Sequence, residues 1–178
     1  MSRELCIEFS NAFYHICSRG INRQDLYLDG NDFEKFLHIC RKAKQKFNLK
    51  IFAYCLMSNH YHLYLNTPDA NIAKSIKFIN ETYAKYFLKK YPEKDGHVFR
   101  GRYKRKLVQD DLYSHTLVSY IHHNPKKAGL VARLEDWKYS SYSSYIQKTL
   151  RLDFIDYEWV LKQFGSQENK LKNFIRHH

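Results

Sequence analysis

The stretch "MSNHYHLYLN", residues Met57–Asn66, decides how this chain is read. A β-strand sends alternate side chains to opposite faces, so Tyr61, Leu63 and Leu65 fall on one side and His60, His62 and Tyr64 on the other. The first side reads as core. The second carries two imidazoles side by side, and these are either polar surface groups or a pair of metal ligands, imidazole being the commonest metal-binding side chain. The alternation alone leaves both readings open.

Working outward, "KIFAYCLM" (Lys50–Met57) is a second strand, joined to the first by the short turn "SN". Upstream, "NAFYHICSR" (Asn11–Arg19) has the aromatic and aliphatic content of another strand, and "GINRQ" after it is a basic turn. Between these strands Phe33, Phe36, Leu37, Cys40 and Phe47 recur at helical spacing, with Asp29, Asp32 and Glu34 near the positive end of the helix dipole. From Asn71 to Tyr91 a second apolar stripe (Ile72, Ile76, Ile79, Tyr83, Phe87) predicts a helix that ends near Pro92, with Lys74, Lys77, Lys85 and Lys89 on its polar side. "HVFRGRYKRKLVQ" (His97–Gln109) ends in a strand, and a last core helix runs from about Asp110 to Asn124, where Pro125 is expected to close it.

The order is β, α, β, β, α, β, α. Its first six elements match the split βαβ, or ferredoxin-like (RRM-like), α+β pattern: an antiparallel sheet with helices on one face. On this reading the face with His60, His62 and Tyr64 stays open. Residues 1–135 hold the sheet and the following helix. Residues 136–178, with the Ser/Tyr-rich "DWKYSSYSSYIQ" and two short helical stretches, form a C-terminal extension that packs on the first part or contacts a partner, packing being the simpler reading.

The chain of 178 residues has room for one main domain. Lys and Arg outnumber Asp and Glu 30 to 18, a formal net charge of +12, and such an excess favours a polyanionic partner, most often nucleic acid. Arg100, Arg102, Lys104, Arg105 and Lys106 alternate with Phe99 and Tyr103, a pattern suited to gripping phosphates and stacking bases, and Arg19 and Arg23 in the first turn can join them. Cys6, Cys17, Cys40 and Cys55 form no C-x-x-C pair and are read as reduced, mostly buried thiols. The first residues lack the apolar core of a signal peptide and no apolar run approaches a membrane span, so a soluble cytoplasmic protein without membrane contact is expected.

In "DDLYSHTLVSYIHHNPKKAGLV" Tyr120 and Asn124 are one helical turn apart, and Tyr113 lies nearly on the same face. A phenol beside a divalent metal can attack phosphorus, although its ordinary pKa of about 10 means that it needs activation near neutral pH. With 15 tyrosines in the chain, spacing alone does not select Tyr120.

Four ordered segments, "YHICSRGINRQDLYLD", "AYCLMSNHYHLYLNTP", "GHVFRGRYKRKLVQDD" and "SYIHHNPKKAGLV", resemble the REP-associated tyrosine transposases of the single-tyrosine HUH superfamily. The likeness runs from about Phe13 to Tyr145. It implies that residues 1–135 are a catalytic domain in which His60 and His62 bind a divalent metal, Mg²⁺ or Mn²⁺, and Tyr120 is the nucleophile. By analogy with the superfamily Asn124 completes the metal site. Ser58 stands where the family pattern has proline, a turn change that leaves the histidines in place.

The implied activity is metal-dependent nicking and joining of single-stranded DNA beside hairpins of the repetitive extragenic palindrome type, through a 5′-phosphotyrosine intermediate. A bacterial, nucleoid-associated location and a monomer or homodimer follow from the same likeness. The alternative is a non-catalytic RRM-like module that holds single-stranded nucleic acid and has no need of His60, His62 and Tyr120 together. A third reading keeps the chemistry for replication or conjugative relaxation, and the short chain and the "NPKKAGLV" block argue against it. His15, His122 and His123 can support the metal pair or contact DNA, but surface or core roles are the simpler expectation for each.

Overall fold

The computed structural model describes residues 8–109 and 111–177, the side chains of 111 and 112 excepted. Cys6 and the start of the third helix at Asp110 lie outside the described residues. Four strands, β1 (Ala12–Arg19), β2 (Lys50–Met57), β3 (His60–Thr67) and β4 (Lys104–Val108), pair in the order β2-β3-β1-β4. All three pairings are antiparallel. This is the ferredoxin-like sheet that the element order predicts.

Helices α1 (Gly30–Phe47) and α2 (Ile72–Lys90) cover the face of Tyr61, Leu63 and Leu65. Tyr61 packs on Phe36 with ring centroids 4.7 Å apart, and its hydroxyl donates to Asn80 Oδ1 at 2.7 Å. The start of α1 and the end of α2 are tied together through buried Asp32. This carboxylate closes a capping box with Asp29 and accepts from Lys90 Nζ at 2.7 Å, from the hydroxyls of Tyr86 and Tyr91, and from the Leu28 amide. Burial pushes its pKa up, but those donors outweigh burial and hold the carboxyl below its ordinary value.

The second face is not open, which corrects the sequence expectation. Helix α3 (Asp111–Lys127) returns across it, packing over β2 and reaching β3 and β4. Ser114 of α3 hydrogen-bonds the Tyr64 hydroxyl at 2.7 Å, and Tyr64 is 0% exposed. The chain after residue 136 covers the rest. It contains α4 (Tyr142–Ile146), α5 (Tyr157–Gln163) and α6 (Glu168–His177). Trp159 packs on Phe13 and Phe52 with ring centroids 5.0 and 4.3 Å away, Ser141 Oγ accepts from the Tyr54 amide, and Asp156 accepts from the Ile51 amide and Lys44. The tail therefore packs as part of the core.

A second correction concerns Pro125, which lies inside α3 and does not end it. Proline cannot donate to the carbonyl four residues back. That carbonyl, of Ile121, instead receives Asn124 Nδ2 at 3.3 Å, and the same amide reaches the Tyr120 carbonyl at 2.8 Å. The helix closes two residues beyond its last turn at Gly129, whose positive φ of 70° suits glycine, with the Leu130 amide donating to the Pro125 carbonyl at 2.9 Å. Cys17, Cys40 and Cys55 are free thiols, the last two buried and Cys17 half-buried.

Candidate active site

The register of β1 against β3 puts Arg19 opposite His60, Cys17 opposite His62 and His15 opposite Tyr64. Directly opposed residues of a sheet share a face. His15, Cys17 and Arg19 thus join the histidine face, and α3 lays Tyr120 over it. The rings of His60 and His62 have centroids 5.1 Å apart at 83°. Tyr120 meets the His62 ring edge-on at 5.9 Å and the His15 ring at 6.0 Å. The tyrosine is 40% exposed, whereas His62 is 5% exposed.

Each histidine of the pair has a partner on Nδ1. Asn59 Oδ1 lies 2.7 Å from His60 Nδ1, and Asn59 Nδ2 donates to the Arg23 carbonyl at 3.3 Å. His15 Nε2 lies 3.0 Å from His62 Nδ1. The turn Ser58–Asn59 is itself clasped by the loop after β1: the Gly20 amide donates to the Asn59 carbonyl, and the Leu26 amide to that of Ser58. Serine in place of proline leaves this turn intact.

Burial is the main cause that lowers the pKa values of the three histidines. His62 falls to about 3, with the neighbouring His15, His60 and Arg19 adding to burial. His60 falls to about 4, where Arg19 adds, and His15 to about 4, where Lys106 adds. All three are neutral at pH 7, the protonation state in which an imidazole nitrogen can ligate a cation.

A cavity of about 420 Å³ beside the pair is lined by His15, Tyr113, Thr116, Leu117, Tyr120 and Lys127. Lys127 Nζ lies 5.1 Å from the Tyr120 ring centre, and Lys106 Nζ lies 4.0 Å from that of Tyr113. Tyr113 therefore shares the cavity with Tyr120, but it is Tyr120 whose ring touches the histidines. Asn124 follows one turn after Tyr120, half-buried, with its amide nitrogen turned to the helix backbone.

The basic residues divide by strand alternation. Lys104 and Lys106 pair with Cys17 and His15 on the histidine face, and Arg105 pairs with Ile16 on the opposite one. Arg100 and Arg102 lie in the loop before β4, which is tied to the first turn by the Arg100 amide, donating to the Arg19 carbonyl at 2.8 Å, and by a Gly20–Phe99 bridge. Tyr103 is half-buried beside them. Arg23 sits in the first turn at φ 62°.

The residue that sequence reasoning undervalued is His15. Its signal is the alternation Phe13, His15, Cys17, Arg19, but only the register of β1 on β3 reveals that it meets His62. Among the described residues no group of three or more His, Cys, Asp or Glu side chains converges as a metal cage. His15 Nε2 lies 3.0 Å from His62 Nδ1, which leaves His60 and His62 as the pair of imidazoles that the site offers.

The sequence model of the IS200-like transposases matches residues 8–124, which hold the whole sheet, the histidine pair and Tyr120. The chain belongs to the IS200-like transposase family. A Haemophilus influenzae protein named as a REP-associated tyrosine transposase is 24% identical over 151 residues, spanning 79% of this chain and 81% of that protein. The solved structure of a REP-associated tyrosine transposase bound to a REP hairpin superposes with a TM-score of 0.71 at 20% identity, covering 84% of this chain and 88% of that one. This transposase thus has the fold that its four sequence segments imply, and it is similar to REP-associated tyrosine transposases within the wider IS200-like family. No helix among its described residues is long and apolar enough to cross a membrane.

Proposed function

We propose that this transposase is a metal-dependent endonuclease and strand transferase acting on single-stranded DNA beside a hairpin of the REP type, with Tyr120 as nucleophile. The observation that carries the reading is the meeting of Tyr120 with His62, ring edge on ring at 5.9 Å, beside a cavity open to solvent. Residues 1–135 act as the catalytic unit, and 136–178 support it by packing. The hairpin partner is taken from the relative solved with one.

His60 and His62 would hold the metal through neutral imidazoles, with Asn124 Oδ1 as a third donor. These donors carry no negative charge, a weak set for a hard cation, so a DNA phosphate fits as the remaining ligand. A bound Mg²⁺ or Mn²⁺ supplies Lewis-acid stabilisation of the charge that builds on the phosphate oxygens. Tyr120 Oη attacks phosphorus in line, its proton leaves, and the P–O3′ bond breaks. The product is a 5′-phosphotyrosine ester, and the departing 3′ oxygen takes a proton. Attack by a DNA 3′-hydroxyl reverses the step and rejoins strands without ATP, one phosphodiester replacing another.

Arg19, Lys104 and Lys106 line the same face and grip the DNA backbone, with Arg23, Arg100 and Arg102 on the adjoining loops and Tyr103 as a stacking surface. Arg105, on the other face, has a secondary part. The test is cleavage of a labelled hairpin oligonucleotide with Mn²⁺. Tyr120→Phe is expected to lower the rate at least about a thousandfold, and chelation or His60→Ala to abolish it. Wild-type cleavage by Tyr120→Phe would refute the assignment.

A further inference from the structure

We propose that His15 and Asn59 are positioning residues that fix the tautomer of the histidine pair. Asn59 Oδ1 lies 2.7 Å from His60 Nδ1 and, as an amide oxygen, accepts its proton; His15 Nε2 and His62 Nδ1 lie 3.0 Å apart, and in the proposal the proton between them sits on His62, so that Nε2 of each ring is left bare. The proposal rests on the metal-pair reading of His60 and His62.

A neutral imidazole carries its single proton on either nitrogen, and only the unprotonated one can donate its lone pair to a cation. A histidine that ligates through Nε2 must therefore be Nδ1–H, and an acceptor on Nδ1 selects that form and stops the ring from turning. Both acceptors here are themselves anchored. Asn59 has its amide orientation set, because Nδ2 donates to the Arg23 carbonyl and Oδ1 is thereby turned to His60. That carbonyl belongs to a loop residue at φ 62°, which gives the loop after β1 a reason to hold a backbone conformation that side-chain-bearing residues rarely adopt.

His15 is fixed by its strand. It stands on β1 opposite Tyr64 and Lys106, and its ring meets that of His62 edge to edge, with centroids 5.2 Å apart and planes inclined by 23°. To accept at Nε2 it carries its own proton on Nδ1. The same bond explains why a third histidine so close to the pair is not a third ligand: its Nε2 is occupied by His62.

The experiment reads tautomers and metal binding separately. Long-range ¹H–¹⁵N correlation spectra of the metal-free protein at pH 7 assign the protonated nitrogen of each ring, and Mn²⁺ titration followed by electron paramagnetic resonance, alone and with a single-stranded oligonucleotide, gives the affinity. Wild type is expected to show Nδ1–H on both His60 and His62. His15→Phe, which keeps a flat ring but offers no acceptor, should lose the Nδ1–H signature on His62 alone and bind Mn²⁺ about 10- to 100-fold more weakly. His15→Gln, which restores an acceptor, should recover both. Asn59→Ala should do to His60 what His15→Phe does to His62, an independent arm should either variant fold poorly.

Nε2–H on His62 in wild type, with Mn²⁺ bound and lost in His60→Ala, overturns the proposal and leaves the metal reading intact. Both tautomers as described, with no Mn²⁺ binding under either condition, overturns the metal reading and the proposal with it.

Discussion

His122 packs against the rings of Tyr142 and Tyr145 and is 1% exposed, with Nε2 2.8 Å from Ser141 Oγ. Burial, aided by His123, pulls its pKa from 6.5 to about 3. The unfolded chain takes up a proton here near pH 6.5, and the folded chain does not until about pH 3. Stability therefore falls as the pH is lowered across that window. Urea unfolding at pH 7 and pH 5 should find the protein less stable at pH 5. His122→Leu should show a smaller drop, not zero, because His15, His60 and His62 are depressed in the same direction. An unchanged drop would mean that His122 titrates normally. At this scale the sequence singled out the pair and, by likeness, Tyr120, and the structure brings the Tyr120 ring to 5.9 Å from that of His62. It did not disclose His15, because strand alternation gives the face of a residue but not the cross-strand register that decides its neighbours.

The hub at Asp32 joins two helices through one carboxylate. Asp32→Ala would leave two tyrosine hydroxyls and the Leu28 amide without their acceptor and Lys90 with Asp29 alone. Because Lys90 is partly solvated, a loss of about 2–3 kcal/mol is expected, at or below the low end for a broken buried pair. Chemical denaturation checks it, and a change under about 0.5 kcal/mol, the range of ordinary surface substitutions, would show that the hub is dispensable. The helices themselves were legible in their apolar stripes. The course of α3 was not: a run of side chains at helical spacing does not say which sheet face the helix crosses, and the rule that helices end before proline fails where Asn124 serves the Ile121 carbonyl that Pro125 cannot.

For the whole molecule, the net charge of +12 acts through where its members sit. Lys104 and Lys106 share the histidine face, and Arg105 does not. The slope of log affinity for single-stranded DNA against log salt should become shallower by about 0.7 for each phosphate that the protein no longer neutralises. Lys106→Ala should show that decrease and Arg105→Ala should not, as read by fluorescence anisotropy over a salt series. Equal decreases in the two variants would place the DNA elsewhere. The tail is a second test at this scale. Its Trp159, Tyr145 and Phe154 complete the core over Phe52 and Tyr54. A chain ending at residue 136 should lose cooperative thermal unfolding, and one that melts like the full chain would make the tail an appendage. Its anchors are dispersed aromatic residues without a long apolar period, which is why the sequence left its role open between packing and contact with a partner.

The most direct measurement is mass spectrometry of the peptide left attached to DNA after the protein is incubated with Mn²⁺ and a pool of single-stranded hairpin oligonucleotides that includes REP-type palindromes. A phosphonucleotide on Tyr120, absent with chelator and in His62→Ala, is the predicted result. An adduct on Tyr113 would keep the reaction and move the nucleophile one cavity wall away, and tight binding with no adduct would replace the nuclease with a single-strand binding module.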